Sequence, residues 1–441
     1  MARWLVIADD LTGAADCAVA WAGHGLRSMV VLGTAGCVDG DAEVAAAEVA
    51  AAEVAAAEVA AAEVLAVDAN TRLMGSGQAA AETARLMRAG ALGETALVYK
   101  KIDSTLRGNV AVELAAALDA RRATAADGER IVVVLAPAFP ANGRTTVNGL
   151  QLVRGRRLEE TGLWQFEATP ARSSIAELLG EARLRTALVE LETVRSGDEA
   201  LQSAMTRTAQ EADVLVCDAE TDTDLYAIAC ASMSLGPGTI WAGSAGLAYQ
   251  LPRAVEGARE RAQWARSRLA EGPALFVAGS GSSISREQVR VLESWSNAFV
   301  ARIAPAALLA REASAEWGAH RSALERALSA GREAVVMPEA EPVLEGQGPR
   351  LAAALAELVR PLAERVGALV ATGGETARAV FEAWGIGALR IMGEVEPGLP
   401  YSVAAGWRRA LPVLTKAGGF GRAETFLHCR QFLHGLNRGG A

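Results

Sequence analysis

The sequence is poor in the residues that build disulfide frameworks and zinc sites. Its 441 residues include five cysteines, which are scattered and form no Cys-x-x-Cys pair, and four histidines. A disulfide scaffold and a zinc or histidine-based metal centre are therefore both disfavoured. We expect the cysteines to behave as small buried hydrophobic residues.

Long apolar runs and blocks of basic residues are also missing. The best candidate run, residues 131–139, has the length of a strand and ends in prolines, so no membrane-spanning helix is predicted. The N-terminus enters a predicted strand directly, and Asp9 and Asp10 interrupt any core resembling that of a signal peptide, which favours the cytoplasm. A formal net charge of −9 argues against general nucleic-acid binding.

Short apolar runs alternate with helix-length segments, a pattern typical of largely parallel sheets with helices on both faces. The chain length favours two domains. The predicted strands are 4–8, 28–32, 64–68, 97–100, 131–136, 187–190 and 214–218 in a first series, and 274–278, 299–303, 334–337, 368–371, 389–392 and 411–415 in a second.

A segment rich in Arg, Ala and Glu, residues 251–271, separates the two series and is predicted to be a linker helix. We therefore predict an α/β protein of two domains, residues 1–250 and 272–441. Each domain is expected to contain a largely parallel sheet flanked by helices. Because ligands favour clefts between domains, an interdomain cleft is expected to bind them.

A low-complexity repeat occupies residues 42–64, where Ala-Glu-Val-Ala-Ala recurs with a glutamate at every fifth position. Alanine and glutamate favour helix. A five-residue period does not match the helical turn, so the valines do not form one buried stripe. The repeat carries no residue that catalysis would need, and we interpret it as an expansion within a surface connection.

Three polar clusters follow strands in the first half, at the strand ends where open α/β sheets bind ligands. Asp9 and Asp10 follow the first strand. They could orient a hydroxyl, accept its proton or hold a metal ion, but capping of the next helix explains them equally well. Residues 99–109 bring together two lysines, an aspartate, two hydroxyls, an arginine and an asparagine, which favours binding of a carboxylate or phosphate over a solvated turn. The double-proline loop at 136–149 is a weaker indication.

Three glycine-rich loops follow strands in the second half, at 278–283, 371–376 and 415–421. Small residues before a helix let backbone N–H groups approach phosphate, although each loop could be an ordinary turn. The first loop lacks the lysine of a Walker A motif, and Ile284 replaces the third glycine of a dinucleotide fingerprint. Together the loops favour a site for nucleotide phosphates.

These motifs together resemble the four-carbon acid sugar kinase family, whose members include D-threonate, D-erythronate and 3-oxo-tetronate kinases. The resemblance spans nearly the whole chain, departs from the family at 42–64 and is loose over 150–170. It rests on IADDLTGAAD (7–16), KKIDSTLRGN (100–109), LAPAFPANGRTTVNG (135–149), GSAGLA (243–248), GSGSS (279–283), TGGET (372–376), GEVEPGLP (393–400) and KAGGFG (416–421).

The resemblance implies an N-terminal domain that binds the acid sugar and a C-terminal domain that binds ATP. The implied substrate-binding residues are Asp9, Asp10, Asp103, Ser104, Arg107 and Asn109. The implied ATP-binding residues are Ser280, Ser282, Gly373, Gly374, Glu375, Thr376, Gly418 and Gly419. The implied reaction transfers a phosphoryl group from ATP, with Mg²⁺ bridging its phosphates, to the C4 hydroxyl of the acid.

We expect Asp10 or Asp9 to orient and deprotonate that hydroxyl. Lys100 or Lys101 would steady the transferring phosphoryl group, and Arg107 would grip the substrate carboxylate. The expected substrate is of the D-threonate or D-erythronate type, with a 3-oxo-tetronate as the alternative.

Two alternatives belong to other classes of function. They are a nicotinamide-dependent hydroxy-acid dehydrogenase and a non-catalytic sugar-acid binding protein. The incomplete fingerprint at 279–284 disfavours the dehydrogenase, and the aspartate pair at 9–10 disfavours the binding protein. No nucleic-acid or membrane partner is expected, and a homo-oligomer is left open.

Overall fold

The computed structural model describes residues 4–33, 55–88, 97–164, 169–256, 264, 269–279, 281–339, 347–407 and 409–438. Ser280, residues 42–54 of the repeat and most of 257–268 in the predicted linker lie outside the described residues. The chain divides into two compact units. Unit 1 comprises Met1–Ser28 and Glu63–Ala262, and unit 2 comprises Met29–Ala62 and Gln263–Ala441.

The strands, numbered in chain order, are β1 (Trp4–Ala8), β2 (Ser28–Leu32), β3 (Val64–Asp68), β4 (Leu97–Lys101), β5 (Val132–Ala136), β6 (Arg144–Val147), β7 (Leu150–Val153), β8 (Arg156–Arg157), β9 (Thr186–Val189), β10 (Val214–Cys217), β11 (Thr239–Gly243), β12 (Ala274–Ala278), β13 (Phe299–Ile303), β14 (Ala334–Pro338), β15 (Ala368–Thr372), β16 (Ala388–Glu396), β17 (Leu399–Ala404) and β18 (Pro412–Lys416).

The helices, numbered in the same way, are α1 (Leu11–Gly23), α2 (Ser76–Arg88), α3 (Val110–Arg122), α4 (Ile175–Gly180), α5 (Leu191–Val194), α6 (Asp198–Thr208), α7 (Asp222–Ser232), α8 (Ala245–Glu256), α9 (Ser283–Trp295), α10 (Pro305–Ala310), α11 (Ala315–Ser329), α12 (Gln347–Val359), α13 (Gly374–Trp384) and α14 (Thr425–Arg438). Residues 55–61 of the repeat are also helical.

Unit 1 is built on parallel strands in the order β3-β1-β4-β11-β5-β10-β9. Its central strands are continuous apolar runs, as expected for a sheet buried on both faces. The register pairs Ala8 with Asp68 on one side and with Lys101 on the other. The chain segments that follow β1, β3 and β4 therefore emerge side by side at one edge of the sheet.

A small antiparallel sheet in unit 1 was not predicted. It consists of β6, β7 and β8 and lies within residues 144–157. Arg144 is its first residue. The two-residue strand β8 and the polar sequence of β6 carry too little apolar periodicity to be recognised as strands.

Unit 2 has parallel strands in the order β13-β14-β12-β15-β18, and the antiparallel strands β17, β16 and β2 continue this order. The register aligns Ala278 with Thr372, and Thr372 with Lys416. The loops after β12, β15 and β18 therefore lie next to one another. β2 belongs to this sheet through its pairing with β16, although its sequence places it in the first strand series.

The predicted fold class is confirmed: the two units are largely parallel α/β structures flanked by helices. Each predicted strand is observed, with ends that differ by a few residues, whereas the predicted linker and domain limits stay predictions. Of the cysteines in the described residues, Cys17, Cys217 and Cys429 are buried and free, as expected, whereas Cys230 is free but half-buried. None of the described helices has the length and apolarity needed to cross a membrane.

Gly243, the last residue of β11, has no room for a side chain. A Cβ there would lie 2.4 Å from the carbonyl oxygen of Ala136 and 3.0 Å from Oη of Tyr99. We expect Gly243→Ala to lower the free energy of unfolding by about 1–3 kcal/mol, because neighbouring backbone must move. Urea unfolding followed by tryptophan fluorescence measures this.

Gly77 in α2 is the matched control, since a Cβ there meets nothing within 4 Å. Gly77→Ala should change the unfolding free energy by about 0.5 kcal/mol or less, or stabilise the helix. If Gly243→Ala and Gly77→Ala changed the free energy of unfolding equally, the close packing around Gly243 would not exclude a side chain.

Candidate active site

Asp10 caps the first helix of unit 1. Its Oδ1 accepts a hydrogen bond from the backbone N–H of Gly13 at 2.9 Å, and its Oδ2 accepts one from Oγ1 of Thr12 at 2.8 Å. The capping interpretation of the aspartate pair therefore describes Asp10 well. Asp9, directly after β1, is buried with 2% of its surface exposed and takes no part in the cap.

Arg72 joins the carboxylates that follow two neighbouring strands. Its Nε lies 2.7 Å from Oδ2 of Asp9, its Nη1 lies 2.7 Å from Oδ2 of Asp10, and its Nη2 lies 3.8 Å from Oδ1 of Asp103. None of the sequence motifs pointed to Arg72. The available signal was its position four residues after β3, at the sheet edge that also carries Asp9.

The charges of this cluster lower the pKa values of two of its carboxylates, Asp10 and Asp103. Burial alone would raise the pKa of Asp10, but Arg72 and Lys101 outweigh it and hold the pKa below its usual value. Burial also acts on Asp103, and there Arg107 and Arg72 hold the pKa well below its usual range. In turn, these carboxylates outweigh the effect of burial on Arg72 and raise its pKa. The cluster is a network of buried charges that are all paired.

The two predicted lysines have different surroundings, because consecutive side chains of a strand point to opposite faces. Nζ of Lys101 lies 4.0 Å from Oδ1 of Asp9. Nζ of Lys100 lies 3.1 Å from Oε2 of Glu113, and both of these side chains are buried. Lys101 thus belongs to the candidate site, and Lys100 forms a separate ion pair with Glu113 on α3.

One oxygen of the cluster stands out because it is unsatisfied. Oδ1 of Asp9 is buried and accepts no hydrogen bond from the described residues, whereas both oxygens of Asp10 accept hydrogen bonds. A Cβ at Gly13 would lie 2.6 Å from Nζ of Lys101, so the glycine is needed for the lysine to approach. Buried polar atoms normally have partners, and exceptions point to a missing ligand or water.

The loop after β4 is organised by Asp103. Its carboxylate accepts two hydrogen bonds from the guanidinium of Arg107, at 2.9 and 2.8 Å, and one from the backbone N–H of Thr105 at 3.0 Å. Leu106 has a positive φ of 62°, an uncommon conformation for a leucine. Strained backbone of this kind is found at binding sites, where the surrounding contacts hold it in place.

Asn109 and Ser104 have supporting positions in this loop. Nδ2 of Asn109 donates hydrogen bonds to the carbonyl oxygens of Thr71 and Met74, both at 2.9 Å, and so ties the loop to the segment that carries Arg72. The carbonyl oxygen of Ser104 accepts a hydrogen bond from Nε2 of Gln151 at 2.7 Å.

Arg144 is a further cation near Asp103 that the sequence analysis did not select. Burial lowers its pKa, an effect that Asp103 opposes and that Arg154 and Arg107 reinforce. Its Nε is buried and donates to none of the described residues. Arg107 and Arg144 together make this part of unit 1 suitable for an anionic ligand.

In unit 2, the three predicted glycine-rich loops are brought together by the adjacency of β12, β15 and β18. Ser282 caps α9 by accepting a hydrogen bond from the N–H of Ile284 at 3.2 Å. Gly373, with φ of 94°, precedes the first residue of α13, which is Gly374. Two helices therefore begin beside each other, and N–H groups at helix N-termini favour anions.

Close contacts link these loops. A Cβ at Gly279 would lie 2.0 Å from Oγ1 of Thr376, so the first two loops touch. The carbonyl oxygen of Gly418 accepts a hydrogen bond from Oγ of Ser285 on α9 at 2.7 Å. Among the residues described, no group of three or more His, Cys, Asp or Glu side chains is arranged to hold a metal ion.

Two family models match the chain. One is described as a sugar-binding N-terminal domain and matches residues 4–251, and the other is described as a nucleotide-binding C-terminal domain and matches residues 275–426.

Curated relatives match over nearly their whole length. A D-threonate kinase of Cupriavidus necator is 39% identical over 97% of this chain and 97% of its own. A D-threonate kinase of Salmonella typhimurium is 33% identical over 96% of each chain. A 3-oxo-tetronate kinase of Pseudomonas fluorescens is 30% identical over 95% of this chain and 94% of its own.

Solved structures resemble the fold. One is a Salmonella typhimurium protein described as a tRNA synthase. It superposes with a TM-score of 0.76 at 22% identity, over 98% of this chain and 100% of its own. A Haemophilus influenzae protein gives a TM-score of 0.70 at 20% identity, over 97% of this chain and 100% of its own. At these identities the likeness shows the fold alone.

The Arg72 network makes a testable contribution to stability. We expect Arg72→Gln to destabilise unit 1 by about 3–5 kcal/mol at neutral pH, because it leaves buried carboxylates without their shared cation. The pKa values of Asp10 and Asp103 are lowered by folding. The stabilisation is therefore present above the unfolded pKa of about 4 and is lost as the pH falls through the folded values.

Denaturant unfolding of the wild type and of Arg72→Gln, at neutral pH and below about pH 4, measures the difference between their free energies of unfolding. This difference should be smaller in acid. Arg172→Gln is the control, because Arg172 forms an exposed salt bridge with Glu181. The Arg172 side chain is 42% exposed and the Glu181 side chain is 51% exposed. Its effect should stay below about 1 kcal/mol. A loss that is equally small for Arg72→Gln would contradict the interpretation.

Proposed function

The chain belongs to the four-carbon acid sugar kinase family, and we propose that it transfers the γ-phosphoryl group of ATP to the C4 hydroxyl of D-threonate or a closely similar sugar acid. D-Threonate is preferred over a 3-oxo-tetronate because the D-threonate kinases are 33–39% identical to this chain. The 3-oxo-tetronate kinases are 28–31% identical.

One observation carries the proposal: the unsatisfied Oδ1 of Asp9, buried 4.0 Å from Nζ of Lys101. A substrate hydroxyl donating to Asp9 would satisfy this oxygen. Phosphoryl transfer depends chiefly on positioning of the nucleophile and on neutralisation of phosphate charge. A buried carboxylate beside a buried ammonium supplies both.

We assign Asp9 the role of orienting and deprotonating the hydroxyl, and Asp10 a supporting role. Arg72 holds one oxygen of Asp9 at 2.7 Å and leaves the other for the hydroxyl. Asp10 has no such oxygen, because its own are engaged by Gly13, Thr12 and Arg72.

Lys101, rather than Lys100, would steady the transferring phosphoryl group. Asp9 and Asp10 outweigh the effect of burial on Lys101 and raise its pKa, so it keeps its charge at physiological pH. Lys100 is engaged by Glu113. Arg144, together with the N–H groups of Arg107 that do not donate to Asp103, would bind the substrate carboxylate, since charge-assisted hydrogen bonds from a guanidinium are strong. Asp103, Ser104 and Asn109 would hold this loop in place.

The glycine-rich loops of unit 2 would bind the phosphates of ATP through backbone N–H groups. The proposed residues are Ser280, Ser282, Gly373, Gly374, Glu375, Thr376, Gly418 and Gly419. Mg²⁺ enters as the ion that accompanies ATP, because Mg²⁺ in kinases is bound largely by phosphate oxygens and water. No described residue is assigned to it. The interdomain cleft and the cytoplasmic location stay predictions, and the oligomeric state stays open.

A coupled assay of ADP release over D-threonate, L-threonate, D- and L-erythronate and 3-oxo-tetronates tests the reaction. We expect D-threonate to give the highest kcat/KM, because the preference for this acid follows the closer relatives. The ³¹P signal of the product should split into a triplet, since a phosphate at C4 couples to two protons. Product formation without ADP release, or NAD(P)H formation, would contradict a kinase.

Substitution of the two aspartates separates their roles. Asp9→Asn should lower kcat by about 10²-fold or more, because it removes the proton acceptor. Asp10→Asn keeps a capping oxygen and should reduce kcat less while lowering stability. Near-normal turnover of Asp9→Asn would overturn its assignment as base, and loss of turnover in Asp10→Asn alone would transfer the role to Asp10.

A further inference from the structure

Lys416 is a buried lysine at the end of β18, with 1% of its surface exposed. Its Nζ donates hydrogen bonds to the carbonyl oxygens of the loop that follows it: Ala417 at 3.1 Å, Gly418 at 3.4 Å and Phe420 at 3.1 Å. An ammonium has three N–H groups, so these carbonyls use its full donor capacity. The side chain thus lies behind its own loop.

The direction of these carbonyls determines the direction of the neighbouring N–H groups. In a trans peptide the C=O and the following N–H point to opposite sides of the chain. Because the carbonyls of Ala417, Gly418 and Phe420 face Lys416, the N–H groups of Gly418, Gly419 and Gly421 face away from it. Among the described residues, these three N–H groups have no acceptor.

Helix α9 reinforces this orientation. Oγ of Ser285 donates to the carbonyl oxygen of Gly418 at 2.7 Å, and Nε2 of Gln288 donates to that of Phe420 at 3.0 Å. The backbone carbonyl of Lys416 also accepts the N–H of Gly373 at 2.9 Å, so the loop after β15 is tied to the same residue. Lys416 therefore contacts two of the three glycine-rich loops.

We propose that Lys416 is a positioning residue for the nucleotide phosphates. From behind the loop it turns the carbonyls inward, and it directs the N–H groups of Gly418, Gly419 and Gly421 toward an anion. Outward N–H groups of this kind form an anion-binding concavity, and the ammonium adds a positive charge beneath it. This inference rests on the proposed binding of ATP by unit 2.

The surroundings of Lys416 make its charge sensitive to an anion. Burial lowers the pKa of the Lys416 ammonium to about 8, an effect that Cys429 of α14 and Glu396 of β16 partly oppose. Glu396 is itself engaged by Thr425 and by Nδ1 of His428, the latter at 3.3 Å. A bound polyphosphate would favour the charged form and raise this pKa.

Direct titration of the lysine tests the proposal, and the composition makes it practicable. The sequence contains three lysines, Lys100, Lys101 and Lys416, so lysine labelled with ¹³C at Cε should give few NMR signals. We expect one signal, absent from Lys416→Arg, to titrate near pH 8. ADP should move its midpoint upward by about one pH unit.

Two controls belong to the titration. Adenosine, which has no phosphates, should leave the midpoint unchanged. The Lys100 signal should not respond to ADP, because Lys100 is paired with Glu113 in unit 1. A Lys416 signal that ignores ADP under conditions where calorimetry shows ADP binding would overturn the inference.

Lys416→Met and Lys416→Arg provide a second measurement. Lys416→Met should raise the Kd for ADP about 10-fold or more and leave the KM for the sugar acid unchanged, a split that general loss of folding would not produce. Lys416→Arg keeps the charge but not the compact geometry that places three donors on these carbonyls, so it should also raise the Kd for ADP, by less than Lys416→Met does.

The outcomes separate this inference from the proposed function. If the wild type binds ADP and folded Lys416→Met binds it equally well, Lys416 is not a positioning residue, while the kinase proposal stands. If the wild type binds no nucleotide at any pH, the proposed function fails and this inference fails with it.

Discussion

The candidate site of unit 1 depends on one interaction, the bridge that Arg72 makes between Asp9 and Asp10. The register of β1, β3 and β4 brings the carboxylates of three loop residues to one edge of the sheet, where they would repel one another. A guanidinium satisfies this geometry because its planar fork donates in several directions and keeps its charge when buried. With the carboxylates held by arginine and by a helix cap, the chain segments after all three strands are fixed before any ligand arrives.

In unit 2 the buried cation is a lysine, Lys416, and the groups that converge on it are neutral carbonyl oxygens. Here backbone carbonyls, rather than carboxylates, converge on a buried point, and a guanidinium has no geometry that places three donors toward a single small concavity. The compact ammonium of Lys416 does. The sequence has 43 lysines and arginines together, of which three are lysines. All three are buried at the ends of β4 and β18. Lysine occurs where a buried point charge is required, and arginine supplies the remaining basic residues.

The elements that could be predicted from sequence are those whose local pattern agrees with their tertiary environment. The buried parallel strands are continuous apolar runs bounded by glycine or polar residues, so their positions followed directly. β11 was missed because it is a short run directly after a Gly-Pro-Gly turn, and β17 because it begins with Leu-Pro. The glycine-rich loops were recognisable from sequence. Their adjacency follows from the strand order, in which β12, β15 and β18 are neighbours.

The candidate site was less predictable, because its decisive residues have no local pattern. Asp9 and Asp10 are adjacent and both contact Arg72, and only the helix cap that engages Asp10 distinguishes them. Alternation along β4 implies that Lys100 and Lys101 face opposite sides, but Glu113 decides which of them is engaged elsewhere. Arg72 is an isolated arginine within an ordinary connection, and Arg144 lies in the double-proline loop at 136–149 without a pattern that singles it out. The roles of these residues depend on contacts between side chains far apart in sequence. Residue types and their local spacing do not predict such contacts.

The position of β2 has a physical consequence for unit 2. β2 pairs with β16 through Val31 and Ala388, and Glu58 forms a salt bridge with Arg390 of the same strand at 3.4 Å. Without residues from the beginning of the chain, β16 would present an unpaired edge, and such edges favour association with other chains. The pairing also links segments far apart in sequence, so it must close a large loop before it contributes stability. Completion of the unit 2 sheet therefore requires both ends of the chain, and a fragment that begins at residue 272 would lack the strand that covers β16.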